Sequence, residues 1–415
     1  MVNLNDYEEI VGKEKIDGLR LIAEKLQGKM MQHINSTAVG GGVAEILTRM
    51  IPLLKQLGLN TRWDVIKGDE KFFAITKSFH NALHGVKVEF GKDDFEYFLE
   101  VNRNNSEEMI FDGDMIFVHD PQPVCLIEKK SKTNKKWAWR CHIDFTNPQK
   151  DVMAFLETFI NQYDSSVFSA PAFARNLKIP QILISPSIDP LSDKNRELPE
   201  ETIIKIVEQY GIDMKRPIVT QISRFDYLKD PLGVIEVYKK VKKYSDCQLV
   251  LAGGGATDDP EGMKVLDEVK EASVGDEDIH ILFLPPSSDI EINALQRAST
   301  VVLQKSLKEG FGLTVAEALW KGKPVIAGAV GGIPLQIKHQ YSGILTYTVD
   351  GTAFYLKQLL NEPKFAKELG LNGKNHIKEN FLITRHIRDY LLLFLSLLNK
   401  SDFLFFENNL NRNSL

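Results

Sequence analysis

The sequence predicts an α/β protein: two doubly wound parallel-sheet domains with a cleft between them. Three observations lead there. The chain has 415 residues, too many for one ordinary core and suited to two of similar size. From Ile218 onward, short apolar runs alternate with segments of helical period, the pattern of βαβ units on a parallel sheet. Between the halves runs Ser185 to Pro199, rich in Pro, Ser and Asp, followed by the charged helical segment Glu200 to Gln209, which reads as a connection. The boundary falls near Gly211, so the expected units are residues 1–211 and 212–380. A helix at about 381–400 returns to pack on the first unit, and 401–415 is a tail.

Taken in order, Met30 to Ile34 is an apolar strand closed by Asn35-Ser36-Thr37. Val43, Ala44, Ile46, Leu47, Met50, Leu53, Leu54 and Leu57 then recur with helical spacing. Further strands are predicted at Trp63 to Ile66, Met115 to Val118, Trp137 to His142, Val167 to Ser169 and Ile182 to Ser185, in a less regular alternation. In the second half the strands run to Ile222 and over Gln248–Ala252, Ile279–Leu284, Val301–Lys305 and Pro324–Ala327. Helices Pro231–Val241, Met263–Ala272, Ile290–Ala298 and Leu313–Lys321 separate them.

Composition excludes several classes. The 43% hydrophobic and 26% charged fractions are those of a globular chain, and a formal charge of −5 gives no electrostatic case for nucleic acid. Cys125, Cys141 and Cys247 form no CxxC pair, which fits a reducing compartment, and cytoplasmic placement is expected. Met1 to Ile10 is acidic and polar, unlike a signal peptide. The one greasy run, Leu391 to Leu398, is far shorter than the ~20 apolar residues of a membrane span. Phe403 to Phe406 and the Asn-rich end would cover a groove or a subunit contact, with a homodimer as the expected assembly.

The chemistry-bearing groups cluster at strand ends. Lys308 to Glu317 reads KEGFGLTVAE, two glutamates eight apart around a glycine hinge that opens a helix. A helix start with unpaired amides at the carboxyl end of a parallel strand suits a sugar and its phosphate. The other reading is a plain loop and helix with two solvated glutamates. Ser223 to Pro231 places Arg224 and Lys229 at another strand end, where two cations would suit a pyrophosphate. Asp230 before Pro231 also reads as a helix cap, and both can hold at once. Gly40-Gly41-Gly42 follows the first strand and lets backbone amides approach a ligand. It is not a dinucleotide fingerprint, because the last position of that pattern is Glu45. Gly253-Gly254-Gly255 is at least as well read as a loop.

His119-Asp120 and Arg140-Cys141-His142-Ile143-Asp144 end two first-half strands. A histidine there is more often structural than catalytic, but the shared location favours a site. His142-x-Asp144 lacks further ligands at useful spacing, so no metal site is expected. Asp112-Gly113-Asp114 precedes its strand and reads as a turn.

On Arg224, Lys229 and the Glu309-x7-Glu317 motif, the chain from about Met30 to Leu398 resembles retaining glycosyltransferases of the GT-B type, two Rossmann-like doubly wound domains. His33-Ile34-Asn35-Ser36, Gly40-Gly41-Gly42, Val118 to Pro123, Trp139 to Asp144 and Ser223 to Asp226 make it similar to the trehalose synthases within that group, and retaining trehalose phosphorylases share most of these segments. The resemblance implies transfer from a nucleoside diphosphate glucose to glucose. It assigns the diphosphate to Arg224 and Lys229, the ribose hydroxyls to Glu317, and the donor sugar to Glu309 with the backbone of Gly310, Phe311, Gly312, Leu313 and Thr314. Leu284 to Ile290 would frame the base. The acceptor would lie near Gly41, Gly42, His119, Asp120, Arg140 and Asp144, with His119 among the catalytic groups. No cofactor is required and magnesium enters only as an activator. Phosphorolysis of trehalose and a non-catalytic sugar-nucleotide sensor are the competing readings. His339 to Gly343 replaces a more acidic turn of the relatives, which bears on the surface alone.

Overall fold

A computed structural model describes residues 2–38, 41–254 and 260–398. Gly40, Gly255 and the 401–415 tail of the sequence reading therefore lie outside the described residues.

Two six-stranded parallel sheets form the frame. The first comprises β1 (Met30–Asn35), β2 (Asn60–Val65), β3 (Met115–His119), β4 (Lys136–Cys141), β5 (Ser165–Phe168) and β6 (Gln181–Leu183), in the order β2-β1-β3-β4-β5-β6. The second comprises β7 (Ile218–Ile222), β8 (Gln248–Gly253), β9 (Ile279–Phe283), β10 (Val301–Gln304), β11 (Val325–Gly328) and β12 (Ile344–Thr346), ordered β12-β11-β10-β7-β8-β9. Each order reverses direction once, between β1 and β3 in the first sheet and between β7 and β10 in the second. Crevices open at such switch points, at the carboxyl ends of the strands. The loops singled out in the sequence leave β1, β3, β7 and β10.

Central strands are buried on both faces, which is why they read as nearly continuous apolar runs; β3 and β7 are buried at every position. Edge strands were harder to read. In β2, Arg62 and Asp64 break the apolar run and every position is exposed or half-buried, so the reading began at Trp63 instead of Asn60. The three-residue β12 carries too little period to detect. The reading also passed over the helices Lys13–Glu24, Glu70–Leu83 and Asp94–Glu108, where it recorded only irregular alternation.

The chain crosses between the lobes twice, side by side. Outbound, Ile188 donates its amide to Phe381 O at 2.9 Å; inbound, Ile383 N donates to Ile188 O at 2.9 Å. The helix Ile383–Leu398 then lies against the helices Lys13–Glu24 and Gly41–Gln56 of the first half. Its Tyr390 is buried beside Phe117 of β3, ring centroids 4.8 Å apart.

Candidate active site

At the second switch point, local hydrogen bonding spends two aspartates and leaves two cations to the cleft. Asp226 accepts from Leu228 N at 2.7 Å and closes the turn Tyr227–Lys229. Asp230, in the left-handed region at φ 51°, accepts from Gly233 N at 3.0 Å and caps the helix Pro231–Lys242. Lys305 pairs with the same cap. Lys229 is then directed across to the β10 loop, its Nζ 2.6 Å from Glu309 Oε2. Ser306 Oγ donates to that oxygen at 3.2 Å. Arg224 is 59% exposed at its side chain and, among the described residues, has only Asp226, at 3.3 Å, as a partner of opposite charge.

Glycines let three backbones converge on this pair. Gly331 has φ +55°, and a Cβ there would stand 1.6 Å from Glu309 O. A Cβ on Gly310 would meet His142 O at 2.3 Å, and one on Gly42 would meet Leu313 Cδ1 at 3.0 Å. First-lobe residues 42 and 142 thus touch second-lobe residues 310 and 313. Asp144 lies at the same seam, 3.4 Å from the Gly331 Cβ position, with its other oxygen held by Thr146 N at 2.9 Å. The helix Leu313–Trp320 starts at Gly312 with no side-chain cap, leaving its first amides toward the cleft. Thr314 Oγ1 donates instead to Gln304 Oε1 at 3.3 Å. Phe311 offers only backbone here, since its ring packs on Phe381 with centroids 5.4 Å apart.

Glu317, one turn further, is buried with 2% of its side chain exposed. Lys194 Nζ stands 3.9 Å from its Oε1, and Gln296 Nε2 donates to Oε2 at 3.4 Å. Burial raises its pKa, against the pull of Lys194 and Lys321.

On the first lobe, three histidines form a chain. His33 Nδ1 is 3.0 Å from His119 Nε2, and His119 Nδ1 is 3.1 Å from His142 Nε2. Burial pushes all three well below the ordinary histidine pKa, so they are neutral near pH 7. Both ring nitrogens of His119 are spent inside this chain; the half-exposed His142 is the member at the seam. Asp120 has φ 64°, and its carboxylate accepts from His142 N at 2.7 Å. Burial pushes its pKa up to about 7, opposed by that amide and by Arg140. Arg140 is wholly enclosed, and none of its guanidinium nitrogens has a hydrogen-bond partner among the described residues. Gly41 begins the helix Gly41–Gln56.

The sequence reading missed four residues that the fold brings to the site. His142 figured there only within a motif. His80 and His84 sit near the end of the helix Glu70–Leu83, where the charges of Arg224 and Lys229 add to burial in lowering the pKa of His80. Their i, i+4 spacing was the available signal. Lys194 sits in the connection, where the sequence gives no periodicity to read.

Comparison with known proteins shows the family. Residues 33–175 match the family model "Trehalose synthase, N-terminal domain", and residues 202–376 match "Glycosyl transferases group 1". The chain is 44% identical over 394 residues to a trehalose synthase of Thermococcus litoralis, covering 94% of this chain and 95% of the relative. A trehalose phosphorylase of Pleurotus pulmonarius is 28% identical, over 91% of this chain and 58% of the relative. Among solved structures, a sucrose-phosphate synthase from Thermosynechococcus elongatus superposes with a TM-score of 0.70 at 18% identity, covering 90% of this chain and 100% of that one. That likeness concerns the fold, the GT-B arrangement of two parallel sheets. The chain belongs to the trehalose synthase family of glycosyltransferases.

Proposed function

We propose that this chain transfers glucose, with retention, from a nucleoside diphosphate glucose to glucose and so forms trehalose. The observation that carries the reading is the Lys229–Glu309 pair at the second switch point, roofed by His142 and Asp144 of the opposite lobe. Family membership supplies the reaction class, and the seam brings candidate donor and acceptor groups of the two lobes together.

In this reading Arg224, Lys229 and the start of the helix Leu313–Trp320 receive the charge that grows on the departing diphosphate. Lys229 leaves Glu309 for the phosphate when the donor binds, and Glu309 turns to the glucose hydroxyls. Glu317 takes the ribose. The acceptor lies beside Gly42, Asp120 and Asp144, with its attacking hydroxyl on the face from which the diphosphate leaves. The bond from anomeric carbon to phosphate oxygen breaks, the bond to the acceptor oxygen forms, and the acceptor's proton passes to the departing phosphate. His119 acts through His142 by fixing its ring. Magnesium has no role here beyond assisting nucleotide binding. Cytoplasmic placement belongs to the same reading: the three cysteines are free and buried, and no described helix is long and apolar enough to cross a membrane.

The test is incubation with ADP-, UDP- or GDP-glucose and labelled glucose. Labelled α,α-1,1 disaccharide released with stoichiometric nucleoside diphosphate is expected. Absence of that product with all three donors refutes the reading. Breakdown of trehalose that demands phosphate in place of nucleoside diphosphate would assign phosphorolysis instead.

A further inference from the structure

We propose that Lys194 is a positioning residue for the donor nucleotide: it holds the Glu317 carboxylate to accept the ribose hydroxyls and ties that grip to the first lobe through Glu45. The inference rests on the ribose reading of Glu317 given above.

Lys194 comes from the outbound connection, and the segment around it is fixed from both sides. On the first-lobe side, Tyr7 OH donates to Asp189 at 2.9 Å. On the second-lobe side, Asn293 Nδ2 donates to Asp193 O and Arg196 O, both at 2.8 Å, and Lys321 Nζ donates to Asn195 Oδ1 at 3.0 Å. The ammonium so placed faces three carboxylates: Glu45 at 2.8 Å, Asp289 at 3.8 Å and Glu317 at 3.9 Å. Glu45 lies on the helix Gly41–Gln56, whereas Asp289 and Glu317 begin and line second-lobe helices.

Charge decides what this cluster does. A buried carboxyl without a cation protonates, and a protonated carboxyl gives up part of its accepting capacity to become a donor. Two cations face Glu317. Lys321 is a poor counter-charge, because burial pulls its pKa down to about 7 against the attraction of Glu317. Its ammonium is also spent on Asn195 Oδ1 and on the backbone oxygen of Glu317. Burial also works against the Lys194 ammonium, but Glu317 and Glu45 outweigh it and raise its pKa above the ordinary lysine value. At 3.9 Å, Lys194 attracts Glu317 without forming a hydrogen bond to it, so among the described residues this contact spends no lone pair of Oε1. Glu45 opposes Glu317 in charge, and Gln296 also faces the carboxylate.

The experiment is calorimetric titration of the full chain with the tightest binder among ADP, UDP and GDP, and with its 2′,3′-dideoxy counterpart. Lys194→Met is expected to weaken binding of the ribonucleotide about tenfold at pH 8. The loss grows toward pH 6, because the Glu317 carboxyl, without its cation, protonates at higher pH. The dideoxy ligand binds Lys194→Met and the wild type alike, and Lys194→Arg restores most of the ribonucleotide affinity, which also keeps the test open should the methionine variant fold poorly. Equal penalties for both ligands overturn the inference, since Lys194 would then act on the diphosphate or on the fold. Wild-type affinity in Lys194→Met, with Glu317→Ala weakened, overturns it while sparing the ribose reading. Wild-type affinity in Glu317→Ala removes both.

Discussion

Replacing Lys229 by methionine separates the two tasks that the 2.6 Å contact with Glu309 combines. Two unit charges at that distance attract by about 6 kcal/mol at an effective dielectric of 20, most of it offset by the desolvation of both groups. The side chains retain 18% and 11% exposure, so truncation costs less than the 3–5 kcal/mol typical of a fully buried pair; about 2 kcal/mol is expected. That lowers the melting temperature by a few degrees and leaves the protein folded. The kinetic loss is much larger, about 10²–10³ in kcat, because the variant also loses a preformed charge at the leaving phosphate. Pairing the change with Glu309→Gln is diagnostic. The double variant recovers stability, since no charge is left uncompensated, but recovers no activity. Release of nucleoside diphosphate from the glucose donor gives kcat, and thermal unfolding followed by circular dichroism gives stability. A Lys229→Met enzyme within a factor of about ten of the wild-type kcat would refute the assignment of Lys229 to the leaving group.

The other expectations follow from burial and steric contact. Glu317→Ala loses hydrogen bonds to a charged acceptor and weakens nucleoside diphosphate binding by about 10–100-fold in titration; unchanged affinity counts against the ribose assignment. Gly331→Ala must place a methyl group 1.6 Å from Glu309 O at φ +55°. The loop carrying Glu309 therefore shifts, and kcat falls by about 10²-fold with a modest change in KM; an alanine enzyme at full rate would show that this backbone approach is immaterial. Burial lowers the pKa of His33 to about 3. An unfolded histidine protonates near pH 6.5, so its unfolded form binds more protons and stability falls as pH drops below that value. The loss from His33 reaches about 2 kcal/mol at pH 5, measurable by denaturant unfolding at pH 7 and 5. A chain equally stable at both pH values would contradict a neutral buried histidine.

The fold was legible wherever burial on both faces wrote continuous apolar runs, as over Met115–Val118 of β3 and Leu249–Ala252 of β8. The edges were uneven: β6 and β9 lie where strands are expected, whereas half-exposed β2 mixes charges into its pattern and β12 spans only three residues. Within the site, Lys229, Asp230, Glu309 and the glycines could be read because backbone demands constrain them: a cap before Pro231 and a hinge that opens a helix. Asp230 caps its helix while Lys229 reaches across to Glu309, as the spacing allowed. The family resemblance implies a ligand contact for His119, but only the fold reveals that His33 and His142 occupy both of its nitrogens. Arg140 shares that strand-end signature; that it is fully buried in β4, its guanidinium without a hydrogen-bond partner among the described residues, is what the spacing alone did not show. Lys194 acquires its role from three carboxylates far apart in sequence, and no local pattern encodes such a meeting.

The paired crossing at Ile188 and Leu382 makes the second lobe, topologically, a guest inserted into the first. Part of the host's core is supplied by Ile383–Leu398, whose buried Ile387, Tyr390, Leu391 and Phe394 join the same cluster as Met31 and Phe117. The half that leaves the ribosome first must therefore wait, incomplete, until the guest has been made. Its open apolar face is the stretch of surface that a chaperone would meet during synthesis.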